Sequence, residues 1–282
     1  MKTNDRRITD LMSSIHSGKT QLPDFQRGWV WDDNRIQSLI ASITNGYPVG
    51  AAMFLEYGNE NIRFKYRVLE GSPSVGAVPA ELILDGQQRL TSIYTALFCT
   101  DAVNTRTDKG QQIKRYYYIN MEKSIDSSVD REEAIFSVPE SRQITSDFGR
   151  KIDKDLSTAE LEYEQKMFPL NHILDPSRYS KWQMGFMQYH KYDSAMSMLW
   201  TKFLDQIIVP TGQYTIPVIT LDKETPKEAV CQVFENVNTG GVSLTVFELV
   251  TAVFAMDDFE LRKDWEARQQ KYFSGDLLSA ST

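Results

Sequence analysis

Residues 81–92 read ELILDGQQRLTS, and this stretch sets a run of polar residues, Asp85 to Arg89, between two apolar patterns. Before the run, residues 80–84 read as a strand. After it, apolar side chains take the spacing of an amphipathic helix, at Leu90, Ile93, Tyr94 and Leu97. Gly86 permits a tight turn, and the helix is predicted to start near Gln87 or Gln88. Such a helix start leaves unbonded N–H groups and the positive end of the helix dipole at the loop, so the stretch predicts an anion site.

The polar run has a chemical interpretation and a structural one. In the chemical one, the Arg89 guanidinium binds phosphate oxygens, Asp85 holds a divalent cation that bridges them, and the two glutamine amides orient a water or read a base. The known P-loop pattern GxxxxGK[ST] is absent from the sequence. In the structural one, Asp-Gly is a common turn and Arg89 simply pairs with Asp85 or a neighbouring acid. The residues alone leave both interpretations open.

Composition limits the partners of the chain. It has 282 residues with 31 basic and 38 acidic side chains, a formal net charge of −7, which disfavours a whole-surface grip on DNA or on an anionic membrane. A local basic cleft is still compatible with this charge. Two cysteines without a CxxC pattern, Cys99 and Cys231, argue against a disulfide framework or a zinc site. We find neither a signal peptide nor a run of about 18 apolar residues, so a cytoplasmic protein without a membrane partner is predicted.

The periodicity divides the chain into three parts. Residues 1–121 read as mixed α and β structure, beginning with a helix over roughly 5–17. Residues 122–210 read as a charged excursion, rich in Ser and Thr, followed by a helical pattern, which predicts an α-helical insert or second lobe. Residues 211–282 begin with a strand and continue with helices that complete the first part.

Two further polar segments are candidates for ligand binding. The first, DFQRGWVW, places Gln26 and Arg27 beside Trp29 and Trp31, so the arginine or the indoles either stack on a base or pack on the surface. The second, NVNTGG, is either a glycine-rich helix terminator or the lining of a nucleotide site, with Asn238, Gly240 and Gly241 as its candidate residues.

Three segments together resemble a known family. They are LPDFQRGWVWDDNRIQSLIASITNGYPVG, LILDGQQRLTSIYTAL and VFENVNTGGVSLTVFELVTA, in this order. They look like the N-terminal domain family of GmrSD-type restriction systems, over roughly residues 8 to 256, with 122–210 unmatched in detail. The resemblance implies an α+β fold with a ParB/sulfiredoxin-like mixed-sheet core, in which the loop bearing the DGQQR motif binds and hydrolyses nucleoside triphosphates.

The resemblance also implies roles for particular residues. Asp85, Gly86, Gln87, Gln88 and Arg89 match the signature motif, and Gln26 and Arg27 match a second polar motif near the same cleft. Related proteins act in phage defence on modified DNA, and they often carry a nuclease domain of the His-Asn-His type in the same chain or in a partner. No histidine follows Gly241, so this chain alone is not expected to cut DNA.

The first hypothesis is therefore a Mg²⁺-dependent NTP-hydrolysing domain of a modification-dependent restriction protein. Asp85 would hold Mg²⁺ or position water, Gln87 and Gln88 would orient the nucleophile, and Arg89 would stabilise charge on the transferring phosphoryl group. Arg27 would add a second phosphate contact. The alternative is a non-enzymatic DNA-sensing or partner-binding module with the nucleotide as a switch, and a third possibility is a nuclease that acts through clustered carboxylates.

Overall fold

The chain forms both strands and helices in the computed structural model, which describes residues 1–24, 26–58, 64–73, 76–147, 150–226, 229–230 and 232–233. The strands are β1 (Lys2–Arg7), β2 (Thr20–Pro23), β3 (Ala52–Glu56), β4 (Tyr66–Arg67), β5 (Glu81–Asp85), β6 (Val103–Arg106), β7 (Gln112–Asn120), β8 (Ile135–Pro139), β9 (Gln143–Ser146), β10 (Lys151–Asp155), β11 (Met167–Pro169) and β12 (Thr215–Leu221). The helices are α1 (Ile8–His16), α2 (Asp33–Thr44), α3 (Gln87–Leu97), α4 (Met121–Ile125), α5 (Arg131–Ala134), α6 (Ala159–Glu164), α7 (Pro176–Tyr189), α8 (Ser194–Phe203) and α9 (Val209–Gln213).

A mixed sheet of six strands, in the order β1-β12-β3-β5-β2-β4, positions the polar loop. β12 runs parallel to β3 and β2 runs parallel to β5, whereas the other pairs are antiparallel. β5 is an inner strand, hydrogen-bonded on both sides near its start, and it ends at Asp85. The α+β architecture with a mixed sheet is thereby confirmed, while likeness to the ParB/sulfiredoxin fold stays a prediction.

One apolar core joins the sheet to the helices α1, α2 and α3. On the sheet it includes Phe54, Ile83 and Val218, and on the helices it includes residues at helical spacing. α2 shows why the local sequence folds this way, because the Asp32 carboxylate accepts the Arg35 N–H at 2.9 Å and caps the helix, as its position predicts. The helix predicted to start near Gln87 or Gln88 is confirmed as α3.

The stretch 122–210 contains strands as well as helices. β8 and β11 pair with β7 on either side, and β9 with β10 forms a hairpin. The helical pattern holds over α7 and α8, whose aromatic rings pack with Phe168, for example at 5.1 Å between the centroids of Phe168 and Trp182. These rings belong to the same apolar core as α1 to α3. The domain boundaries after residues 121 and 210 stay predictions.

The N-terminus differs from its prediction. The structure has strand β1 up to Arg7 and helix α1 only from Ile8, whereas the sequence pattern predicts a helix from about residue 5. β1 is an exposed edge strand, KTNDRR, that pairs with β12 along its whole length. Its six side chains are all polar or charged, so a search for apolar alternation could not detect it. None of the helices in the described part of the chain has the length and apolarity that crossing a membrane requires.

Candidate functional site

The turn between β5 and α3 is built around Gly86. This residue is left-handed, with φ of 90°, and a Cβ atom added there would lie 3.3 Å from the Cβ of Ala52. Within the described part of the chain no side chain caps α3, and the first backbone bond of the helix runs from the Leu90 N–H to the Gly86 carbonyl. No acceptor among the described residues bonds the N–H groups of residues 87–89. The loop therefore presents free donors at the positive end of the helix dipole, which suits an anion.

Asp85 supplies one carboxylate at this turn. Its side chain is 34% exposed, and its Oδ2 lies 3.3 Å from Nη2 of Arg89. Within the described residues there is no cluster of three His, Cys, Asp or Glu side chains that could hold a metal ion. Mg²⁺ in nucleotide sites often takes only one or two protein carboxylates and completes its shell with phosphates and water. Asp85 fits that kind of site as a single protein ligand.

Gln26 binds the end of β5. Its Nε2 donates to the Ile83 carbonyl at 2.7 Å and to the Leu84 carbonyl at 3.1 Å. The pairing of β2 with β5 stops at residue 82, so the Gln26 amide supplies donors where the neighbouring strand no longer does. The residue is 7% exposed, and its Oε1 is buried without a hydrogen-bond partner among the described residues. The second polar motif is thereby fixed against the strand that carries the first.

Both glutamines of the DGQQR motif bind the segment that follows Gln26. Gln87 Nε2 donates to the Arg27 carbonyl at 2.8 Å. Gln88 Nε2 donates to the Gly28 carbonyl at 3.2 Å, and its Oε1 accepts the Val30 N–H at 2.8 Å. The bonded residues of the two motifs are 58 to 60 positions apart in the chain, and they form one hydrogen-bonded unit in space.

Arg89 points at backbone carbonyl groups. Nη1 donates to the Val49 carbonyl at 2.5 Å, and Nη2 donates to the Ala51 carbonyl at 2.7 Å and to Asp85. Between the two carbonyls stands Gly50, with φ of +89°, where an added Cβ would lie 2.5 Å from Nη1. The guanidinium thus ties α3 to the chain that leads into β3.

Arg27 differs from Arg89 in that its guanidinium has no hydrogen-bond or ion-pair partner within the described part of the chain. Its backbone carbonyl, by contrast, accepts from Arg67 Nη2 at 3.1 Å as well as from Gln87. Glu70 accepts the Trp29 N–H at 3.1 Å and lies 3.4 Å from Arg67 Nη1. Sequence reasoning missed both Arg67 and Glu70, because neither lies in a motif and each binds a backbone group of the segment 27–29 as well as the other.

Trp29 and Trp31 are partly buried and pack against the apolar core. Trp29 Nε1 donates to Ser92 Oγ at 3.0 Å, and the Trp31 carbonyl accepts from Thr105 Oγ1 at 2.9 Å. These contacts anchor the segment on α3 and on β6, and stacking on a base stays a prediction.

Three predicted nucleotide-binding residues, Asn238, Gly240 and Gly241, lie outside the described residues, as does Cys231. Of the predicted site residues that the structure describes, Gln26, Arg27, Gly86, Gln87 and Gln88 lie together at the β5–α3 turn. Asp85 and Arg89 join them there, and the two indoles border the same segment.

Three groups with markedly changed acidity lie away from this turn. Burial raises the pKa of Glu162 to about 7, and burial lowers the pKa of His172 to about 4. Burial also raises the pKa of the Cys99 thiol to about 11, which lowers its thiolate fraction at neutral pH. None of the three groups contacts the polar loop through a described hydrogen bond.

The chain is similar in sequence to known proteins. A family model described as the GmrSD restriction endonuclease N-terminal domain matches residues 8–255. An uncharacterized protein of Methanocaldococcus jannaschii, MJ0686, is 26% identical over 286 residues, an alignment that covers 96% of this chain and 46% of that protein. The chain therefore spans about half the length of this relative.

Proposed function

Since the chain belongs to the GmrSD restriction endonuclease N-terminal domain family, we propose that it is the module of a modification-dependent restriction or phage-defence protein that binds and hydrolyses nucleoside triphosphates. The observation that carries the proposal is the turn at Gly86. It joins an inner strand to an uncapped helix and leaves the N–H groups of residues 87–89 without acceptors among the described residues. Phosphate oxygens are the ligands that such a turn binds best.

Asp85 would hold Mg²⁺ beside the phosphates. Its carboxylate stands at the turn, one-third exposed, with only Arg89 as a described partner. When bound, Mg²⁺ would bridge phosphate oxygens and offset the charge that develops during phosphoryl transfer. The protein supplies the fixed position of the carboxylate at the end of an inner strand.

Gln87 is the better candidate of the two glutamines for orienting the attacking water. Gln88 uses both its oxygen and its nitrogen on the segment 28–30. Among the described residues Gln87 bonds only through its nitrogen, to Arg27, which leaves its Oε1 to accept a hydrogen bond from a water molecule. Hydrolysis in this arrangement relies mainly on positioning and electrostatics.

The test is phosphate release from ATP, GTP, CTP and UTP with Mg²⁺, comparing the native chain with Asp85→Asn. This variant keeps an oxygen for Arg89 but loses the charge that binds Mg²⁺, and we expect release to fall about a hundredfold, the usual effect of one lost electrostatic contact. The control is Asp10→Asn, an exposed carboxylate on α1 without a described partner.

Unchanged release by a folded Asp85→Asn variant would refute the role of Asp85. Tight nucleotide binding without release by the native chain would favour the alternative, a sensing module that uses the nucleotide as a switch. Magnesium-dependent nicking without any nucleotide would instead favour the carboxylate nuclease.

The proposal also assigns DNA cleavage to another part of the system. A His-Asn-His nuclease domain, in a longer chain or in a partner subunit, would cut the modified DNA. Incubating this chain with modified DNA, Mg²⁺ and nucleotide should therefore give no cleavage until such a nuclease is added.

A further inference from the structure

We infer that Arg27, and not Arg89, is the arginine that contacts the phosphates of the nucleotide, and that Arg89 is a positioning residue. The inference rests on the proposed function, since it divides roles within the same site. It is carried by the different surroundings of the two guanidinium groups.

The Arg89 guanidinium is already hydrogen-bonded to other groups of the protein. Both of its terminal nitrogens donate to the backbone, to the carbonyls of Val49 and Ala51, and Nη2 also bonds Asp85. Turning this group towards a phosphate would leave two carbonyl groups without their donors. Such losses are costly where water cannot replace the donor, and the Arg89 side chain is only 22% exposed.

The chain before β3 is shaped to receive Arg89. Gly50 has no side chain where the guanidinium passes, and any Cβ there would collide with Nη1. On its other side the same segment is held by the Tyr214 hydroxyl, which donates to the Tyr47 carbonyl at 2.7 Å and accepts the Val49 N–H at 3.2 Å. Arg89 is thus part of a fixed connection between α3 and the entrance to β3.

The Arg27 guanidinium is available. Its backbone is held from two sides, by Gln87 Nε2 and by Arg67 Nη2, whereas its charged end has no partner among the described residues. Glu70 uses Oε1 to accept from Arg67 and from the Trp29 N–H, and no hydrogen bond among the described residues joins Glu70 to the Arg27 guanidinium. An arginine with an immobilised backbone, next to free helix N–H groups, is preorganised for a phosphate.

The inference is tested by measuring equilibrium binding of the preferred nucleotide with Mg²⁺, together with thermal unfolding, for Arg27→Ala, Arg89→Ala and Gly50→Ala. Arg27→Ala should keep the melting temperature of the native chain and lose at least about tenfold in affinity, as expected for a charge-assisted contact. Arg150→Ala, at an exposed arginine, is the matched control and should change neither quantity.

Arg89→Ala and Gly50→Ala should resemble each other. Both should lower the melting temperature, Gly50→Ala also because a Cβ atom is strained at φ of +89°. The double variant should lose less than the sum of the two single variants, because the collision with Nη1 disappears when the guanidinium is absent. If Arg89 instead touched phosphate, Gly50→Ala would displace its guanidinium from the backbone and preserve or strengthen nucleotide binding.

The outcomes separate the inference from the proposed function. A native chain that binds none of the four nucleotides contradicts the proposed function itself. A native chain that binds one of them, with native affinity in Arg27→Ala, contradicts the inference alone. Native melting temperature combined with lost binding in Arg89→Ala would also overturn it.

Discussion

Glu162→Gln should make the unfolding free energy depend less on pH, because the native carboxyl lowers that free energy as the pH rises. Glu162 is 4% exposed, and its carboxylate accepts from Trp182 Nε1 at 2.9 Å and from the Tyr118 hydroxyl at 3.1 Å. Arg142 Nη1 lies 3.7 Å away. Burial outweighs these partners and raises the pKa of Glu162 from 4.5 to about 7.

The sign and the size of this effect of pH on the unfolding free energy follow from proton linkage. The folded carboxyl keeps its proton at pH values where the unfolded one has lost it, so its stabilising contribution is fully present below pH 4.5 and is lost as the pH rises through about 7. One pKa unit corresponds to about 1.4 kcal/mol, so between about pH 5 and pH 8 this carboxyl should lower the unfolding free energy by roughly 2–3 kcal/mol.

The assay is urea unfolding of the native chain and of Glu162→Gln at both pH values. His172 contributes in the opposite direction, because burial lowers the pKa of its imidazole to about 4 and its contribution is lost on acidification. That contribution is common to both proteins, so the difference between their pH slopes isolates Glu162. Glu164→Gln, at an exposed residue of the same helix, is the control. Equal pH slopes in native chain and Glu162→Gln would refute the reasoning.

Other contacts lead to simpler predictions. Gln26→Leu should lower the unfolding free energy by about 1–3 kcal/mol, because two carbonyl groups of β5 lose a buried donor, as urea unfolding would measure. In a Cys231→Ser background, Cys99 should react with a thiol reagent at neutral pH at least about a hundredfold more slowly than in the urea-unfolded chain, because burial raises its pKa. Asp33→Ala should lower the melting temperature, since Asp33 accepts from the Tyr117 hydroxyl at 2.8 Å and joins α2 to β7; an unchanged melting curve would contradict this.

Elements that bury an apolar face were predictable from sequence. The residues of α2 and α3 at helical spacing reach the core, so the periodicity reports their burial directly. β1, β9 and β10 carry mostly charged and polar side chains that stay partly or fully exposed, and pairing with neighbouring strands defines them. Such strands are specified by partners distant in sequence or by a hairpin, which a scan of side-chain pattern does not see.

The residues of the site could be predicted from the sequence, but the hydrogen bonds between them could not. The glycine turn and the helix start follow from local sequence, and the structure has both at Gly86 and Gln87. The acceptors of Arg89 are the backbone carbonyls of Val49 and Ala51, and every residue type has such a group. The sequence therefore does not identify these two carbonyl groups as acceptors, and from local sequence alone Arg89 resembles a phosphate-binding arginine.

The bonding between the two motifs changes how mutations in them should be interpreted. Gln88 holds the segment 28–30 by its oxygen and its nitrogen, so Gln88→Ala would release that segment even if the side chain never meets a nucleotide. Loss of activity alone thus cannot assign a chemical role to a residue of DGQQR. Substitution of a residue that contacts phosphate should lower the affinity for nucleotide without lowering the stability of the fold. Among the arginines at this turn only Arg27 has surroundings that allow this, since the guanidinium groups of Arg67 and Arg89 are already hydrogen-bonded in the described structure.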